Sequence, residues 1–140
     1  MIKINDRLTI GPQPPLASFA SLAAAGYAVL INNRPDFEDP TQPGSAAEQA
    51  AAEAAGLGYA HLPVSGATLN EALARDFQAV LATSPGPVFA HCKSGMRTLM
   101  LYAIGEALDG RMAGSDIVAF GADYGFDLTA GAMWVARHQG

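Results

Sequence analysis

The run Val88-Phe89-Ala90-His91-Cys92-Lys93-Ser94-Gly95-Met96-Arg97-Thr98 decides how this chain is read. Pro87 to Ala90 has the composition of a buried strand and Thr98 to Leu108 the pattern of a helix, so the chain's one cysteine falls in the turn between them. At such a handover the first helical turn leaves backbone N–H groups without partners, and the helix dipole puts its positive end there. Both effects favour a thiolate over a thiol, and both favour a bound oxyanion. Gly95 lets the turn point its N–H groups inward, and Arg97 adds a planar, permanently charged fork that grips two oxygens at once. Lys93, Ser94, Gly95, Met96 and Thr98 therefore read as an anion-binding loop, with Cys92 the nucleophile and Arg97 its catalytic partner. A merely structural cysteine is a small buried hydrophobe and needs none of these neighbours.

Outward from this loop, strands alternate with helices. Lys3 to Ile10 reads as a small hairpin closed by Gly11-Pro12-Gln13-Pro14-Pro15, and Leu16 to Ala25 as a helix ending at Gly26. Tyr27 to Asn32 is a strand of the buried type, Arg34 to Gly44 a loop rich in proline and acid, and Ser45 to Ala55 an alanine-rich helix capped by Ser45 and stopped at Gly56. Tyr59 to Val64 gives another strand. Leu69 to Thr83 is an amphipathic helix with Leu69, Leu73, Phe77, Val80 and Leu81 on one face. The tail is helical in three pieces that break near Asp109-Gly110 and Tyr124-Gly125, with Met133, Trp134 and Val135 expected on the core. The alternation implies a single α/β domain over 1–140, a mainly parallel sheet flanked by helices, with the ligand site beyond the carboxyl ends of the strands. Cys92 lies at such an end.

Composition narrows the function classes. The 140 residues are half apolar, enough for one real core and too few for two. A single cysteine excludes an internal disulfide and a cysteine-based zinc cluster, and it fits a reducing cytoplasm. A net charge of −5 argues against a general nucleic-acid binder, so any anion site is local. No stretch approaches the roughly 20 apolar residues of a membrane span, and the N-terminus lacks a signal-peptide core. The expectation is a cytoplasmic protein without a membrane partner. Three scattered histidines have no metal-ligand spacing, so neither a metal nor a cofactor is expected.

With the loop, the strand-helix order and Leu30-Ile31-Asn32-Asn33-Arg34-Pro35-Asp36 in view, the chain resembles the cysteine-dependent dual-specificity phosphatase fold, a three-layer architecture. More closely, it is similar to a small bacterial family of phosphatase-like domains found alone or fused to beta-lactamase-like hydrolases. That resemblance rests on Ile10-Gly11-Pro12-Gln13-Pro14, Asn33-Arg34-Pro35-Asp36 with Glu38, His61-Leu62-Pro63-Val64, Pro85-Gly86-Pro87 and the cysteine loop, and it covers nearly the whole chain.

Two departures bear on chemistry. The phosphatase signature sets five residues between cysteine and arginine, whereas only Lys93, Ser94, Gly95 and Met96 intervene here. This shorter cationic loop is similar to that of rhodanese sulfurtransferases, whose cysteine carries a persulfide. Phosphatases of the fold also keep an aspartate after the strand that precedes the long helix, and here Pro63-Val64 runs into Ser65-Gly66-Ala67. An alkoxide or phenoxide leaving group needs that proton, which is worth ~10²–10⁴ in rate. Sulfane transfer releases sulfite or a thiolate and does not.

The expectation is therefore a sulfurtransferase that carries a persulfide on Cys92. It would act on a small anionic or sulfane-sulfur substrate and pass the sulfur to cyanide or a thiol acceptor, with a persulfide-oxidising enzyme as a partner. A cysteine-dependent phosphatase working through a phosphocysteine is the alternative, with Asp36, Glu38 or Asp39 as substitute acid. An idle module that recognises a phosphorylated or sulfur-bearing partner is the third reading.

The supporting residues carry two readings each. Arg34 guards the site mouth or pairs with Asp36; otherwise it is a solvated surface arginine. His91 orients the loop through backbone carbonyls, because its side chain points away from Cys92 on an alternating strand. Gln13 either reaches the site or is a plain turn residue. Ser94 and Thr98 donate to the thiolate or leaving group, unless Thr98 merely caps the helix. His61 and His138 read as structural or exposed, and Asp123 and Asp127 as acids with no placement. An exposed Cys92 would also leave room for an intermolecular disulfide.

Overall fold

The two apolar runs that end at Asn32 and His91 pair side by side in the middle of a sheet. The computed structural model describes residues 1–139. Among them are five strands, β1 (Ile2–Lys3), β2 (Leu8–Gly11), β3 (Val29–Asn32), β4 (Gly58–His61) and β5 (Val88–His91). They lie in the order β1-β2-β5-β3-β4, and all neighbours are parallel except β1 and β2. The helices are α1 (Phe19–Ala24), α2 (Ser45–Ala55), α3 (Glu71–Thr83), α4 (Met96–Leu108), α5 (Ile117–Ala122) and α6 (Thr129–Gln139).

Side chains alternate across each strand, and this sorts the core into two layers. Ile31, Val88 and Ala90 face one way and pack with Phe77, Leu99, Ile104, Ile117, Leu128 and Trp134 from α3 to α6 and the turn before α6. Leu30 and Phe89 face the other way and pack with Phe19, Leu22, Ala52 and Leu57 on the α1 and α2 side. The expected helix-sheet-helix sandwich is therefore formed, and burial of both faces explains why β5 reads as an unbroken apolar run. The same alternation puts His91 on the α2 side of β5. Asn32, its register partner on β3, joins it there.

Several boundaries differ from expectation for local reasons. Helix α4 starts at Met96, two residues early, because Gly95 caps it with φ +106°, a left-handed conformation that suits glycine. Arg97 and Thr98 consequently belong to the first helical turn, and Thr98 is no cap. Ser45 is the first residue inside α2; Gly44 takes the cap position, and the Ser45 hydroxyl donates to Asp36 instead. The strand from Tyr59 ends at His61, although the Leu62 and Val64 N–H groups still donate to Asn32 and Asn33 carbonyls. Helix α3 begins at Glu71 behind an Asn70 cap, and the segment from Leu16 opens with a 3-10 turn before α1. In α6, Trp134 and Val135 are buried but Met133 is 54% exposed, so it is not a core residue. Among the described residues no helix is long and apolar enough to cross a membrane.

Candidate active site

Strand β5 ends at His91, and the chain turns at once into α4, so Cys92 lies at the floor of a loop whose N–H groups surround it. The Gly95 N–H donates to the Cys92 Sγ at 3.0 Å. Burial pushes the thiol pKa up, but N–H groups of Thr98, Gly95, Ser94 and Arg97 outweigh it, and the pKa is net lowered. The first turn of α4 thus stabilises a thiolate without a neighbouring base. Cys92 itself has no exposed surface, contrary to the expectation of an exposed thiol.

One consequence is measurable. An unfolded cysteine titrates near ~8.5, so a lowered folded value means that stability present above that pH is lost as pH falls through the folded pKa. Alkylation of Cys92 by iodoacetamide is expected to stay near its plateau rate below the pH at which an ordinary thiol slows. A rate that follows a titration near ~8.5 would show that the cradle does not form.

Arg97 lies beside the sulfur, but its fork is taken by Glu38. Nη1 donates to Glu38 Oε2 at 2.7 Å and to the Val64 carbonyl at 3.0 Å, and Nη2 donates to Glu38 Oε1 at 2.8 Å. The hydrogen bond to Glu38 is the main cause holding the Arg97 charge; burial opposes it and the Cys92 sulfur reinforces it. In return, Arg97 first and Arg34 second hold the Glu38 carboxyl down at about 2, against the burial that opposes them. Glu38 is therefore a carboxylate throughout the neutral range.

Arg34 is buried, which overturns the reading as a solvated surface arginine. Its Nε donates to Glu38 at 2.9 Å, its Nη2 stands 3.8 Å from Asp39, and its Nη1 donates to Gln13 Oε1 at 3.1 Å. Asp36 is not its partner: that carboxylate accepts from the Ser45 hydroxyl and N–H, and the Ser45 hydroxyl is the main cause lowering its pKa. Asp39 is lowered mainly by the Thr41 hydroxyl and lies 3.8 Å from the exposed Lys93. Each acid considered as a substitute proton donor is thus engaged as a carboxylate. Beyond β4, where the phosphatase aspartate would stand, the Ser65 hydroxyl pairs with the Thr68 hydroxyl.

Below the loop lies a buried network that sequence reasoning missed. His91 Nδ1 meets the Cys92 carbonyl at 3.2 Å and its Nε2 meets Glu48 Oε1 at 2.8 Å, with both side chains fully buried. The carbonyl can only accept, so Nδ1 carries a proton and His91 tethers the loop, as its alternation implied. Glu48 Oε2 also accepts from Gln13 at 3.0 Å and Asn32 at 3.4 Å. Gln13 is therefore a bridge, joining Glu48 on one side to Arg34 on the other. The Thr98 hydroxyl donates to Asn33 Oδ1 at 2.9 Å rather than to the sulfur, and the Ser94 hydroxyl accepts from the Met96 N–H. Met96 is partly exposed at the loop rim. His61 donates to the Arg34 carbonyl, His138 stacks on Trp134, and Asp127 caps α6 through Thr129, so these stay structural. Among the described residues no cluster of His, Cys, Asp and Glu could hold a metal ion.

Comparison with known proteins bears on the family and the fold. The family model described as the phosphatase-like domain of the beta-lactamase hydrolase-like protein matches residues 1–109. A beta-lactamase hydrolase-like protein of Agrobacterium fabrum is 54% identical over 136 residues, 97% of this chain but 32% of the relative, so the chain spans about a third of that protein. The crystal structure of a candidate phosphatase from Neisseria meningitidis superposes with a TM-score of 0.82 at 28% identity, covering 97% of this chain and 96% of that one. The core catalytic domain of a PP-IP phosphatase from S. cerevisiae gives 0.68 at 14% identity, over 92% and 78% of the two chains. At that identity the likeness is one of fold alone. The family resemblance carried by the motifs is borne out, and none of these three proteins is named a sulfurtransferase.

Proposed function

From the premise that the chain belongs to the beta-lactamase hydrolase-like phosphatase-like domain family, we propose that Cys92 is a thiolate nucleophile which carries sulfane sulfur on this phosphatase-like fold. The observation that carries the reading is the state of Glu38. The carboxyl group beside Arg97 has a pKa of about 2 and is gripped by two arginines, so it has no proton to give to an ester oxygen at neutral pH. Sulfur transfer needs none. The Cys92 thiolate attacks the outer sulfur of a thiol persulfide; the new S–S bond forms as the old one breaks, and the donor leaves as a thiolate with the bonding pair. A second thiolate then attacks the outer sulfur on Cys92, and the enzyme thiolate leaves. Loop N–H groups and Arg97 hold the negative charge in both steps.

The names of the similar structures favour a second reading, hydrolysis of phosphate esters through a phosphocysteine, and they favour it over the first. It requires Glu38 to leave Arg97 and take up a proton, or a substrate whose leaving group needs none.

The two part by mass. Incubated with glutathione persulfide or thiosulfate, the protein is expected to gain one sulfur, about 32 Da, at Cys92, and Cys92→Ser to gain nothing. Efficient hydrolysis of a phosphotyrosine peptide with no sulfur adduct would overturn the proposal and establish the phosphatase.

A further inference from the structure

The loop that presents Glu38 is held in a costly shape. Phe37 has φ +64°, the one left-handed non-glycine residue among those described, and its side chain is 99% exposed. Such a conformation is unfavourable in an L-residue, and an exposed ring recovers none of that cost through packing. What the shape does achieve is delivery of the next side chain, Glu38, onto Arg97 and Arg34 together.

The delivered charge changes what the mouth can bind. Arg34, Lys93 and Arg97 are the cations there, and Glu38 and Asp39 are in ion-pair reach of them. With the Cys92 thiolate, three positive groups face three negative ones. The arginine fork that could grip two oxygens of a doubly charged phosphate is here already filled by the Glu38 carboxylate.

We propose that Glu38 sets the charge preference of the site, favouring donors with one negative charge at the reacting end, such as organic persulfides, over doubly charged thiosulfate and phosphate monoesters. The choice of donor rests on the sulfur-transfer reading above; the charge preference needs only a reactive Cys92. Because Glu38 titrates at about 2, it imposes this preference across the whole neutral range.

The test uses alkylation of Cys92, with inorganic sulfate as an unreactive doubly charged probe and nitrate as a singly charged one. In Glu38→Gln, iodoacetate is expected to gain on neutral iodoacetamide, and sulfate to protect Cys92 at roughly tenfold lower concentration than in the wild type. Glu38→Asp keeps the charge and should behave as the wild type does in both comparisons. A purely structural Glu38 would change both alkylation rates together and leave their ratio alone. Unchanged ratios and unchanged sulfate protection in Glu38→Gln would overturn the proposal. Should that variant not fold, the wild type decides: sulfate protecting more than about ten times better than nitrate would overturn it, and comparable protection supports it. Failure of sulfur loading with a shifted charge preference would sink the donor assignment alone; loading with an unshifted preference would sink this inference alone.

Discussion

Arg97→Lys is expected to slow transfer at Cys92 by about a hundredfold or more while lowering the thermal midpoint by only a few degrees. Lysine keeps the charge and can still reach one of the groups that Arg97 holds. It cannot span both oxygens of Glu38 and the Val64 carbonyl while lying against the sulfur, which is what the guanidinium does. The folding loss is small because the pair is partly solvated and sits at a helix start, where a cation contributes little packing. The catalytic loss is large because charge that develops on the leaving group needs donors already in place. The transfer rate from glutathione persulfide, aryl phosphate hydrolysis and the melting curve are measured on the same preparations. Equal rates in the two proteins would make Arg97 a structural residue of α4, and the idle binding module would become the better reading.

How much of this was legible in the sequence follows from which signals are local. The cysteine loop was readable because strand, turn and helix follow one another within a dozen residues, and Gly95 marks the turn by itself. The mainly parallel sheet between helices was readable from alternation of apolar runs and helices, whereas the order of its strands was not. Alternation also gave His91 its direction, with Phe89 and His91 on one face of β5. Long-range pairing of charges was not readable. Arg34 seemed suited to Asp36, two residues on, but the strained backbone at Phe37 turns Glu38 inward, and Ser45 captures Asp36 from the next helix. Nothing in a linear pattern announces a left-handed phenylalanine.

Glu48 was missed for a different reason. In Ser45-Ala46-Ala47-Glu48 an acid three residues after a serine looks like an ordinary capping box on a surface helix. The clue lay in the helix's other side chains. Among so many alanines, close approach to the sheet is easy, and the acid in the first turn is the one side chain long enough to reach the polar ends of β3 and β5, Asn32 and His91. Reading those two strand-end polar residues as a demand for a buried partner would have found it.

Glu48→Ala is accordingly expected to be the most destabilising of these substitutions, by ~3–5 kcal/mol, because it strips a fully buried group from partners that stay buried. His91 would lose its Nε2 partner, and the amides of Gln13 and Asn32 would lose their acceptor. In a chain of this length such a loss lowers the thermal midpoint by about 10 °C or more. Glu48→Gln separates charge from shape: its carbonyl can still accept from His91, but its amide would then face the amides of Gln13 and Asn32, donor against donor. It is expected to fall between the wild type and Glu48→Ala. Glu53→Ala, on the exposed side of the same helix, should stay within ~0.5 kcal/mol and so excludes a general effect on α2. The network also ends on the nucleophile, through the His91 tether to the Cys92 carbonyl. Glu48→Gln should therefore lose part of the low-pH alkylation of Cys92, a readout that helix packing alone would not move. A Glu48→Ala protein melting with the wild type would mean that His91 finds another partner and that the buried pair does not anchor the loop.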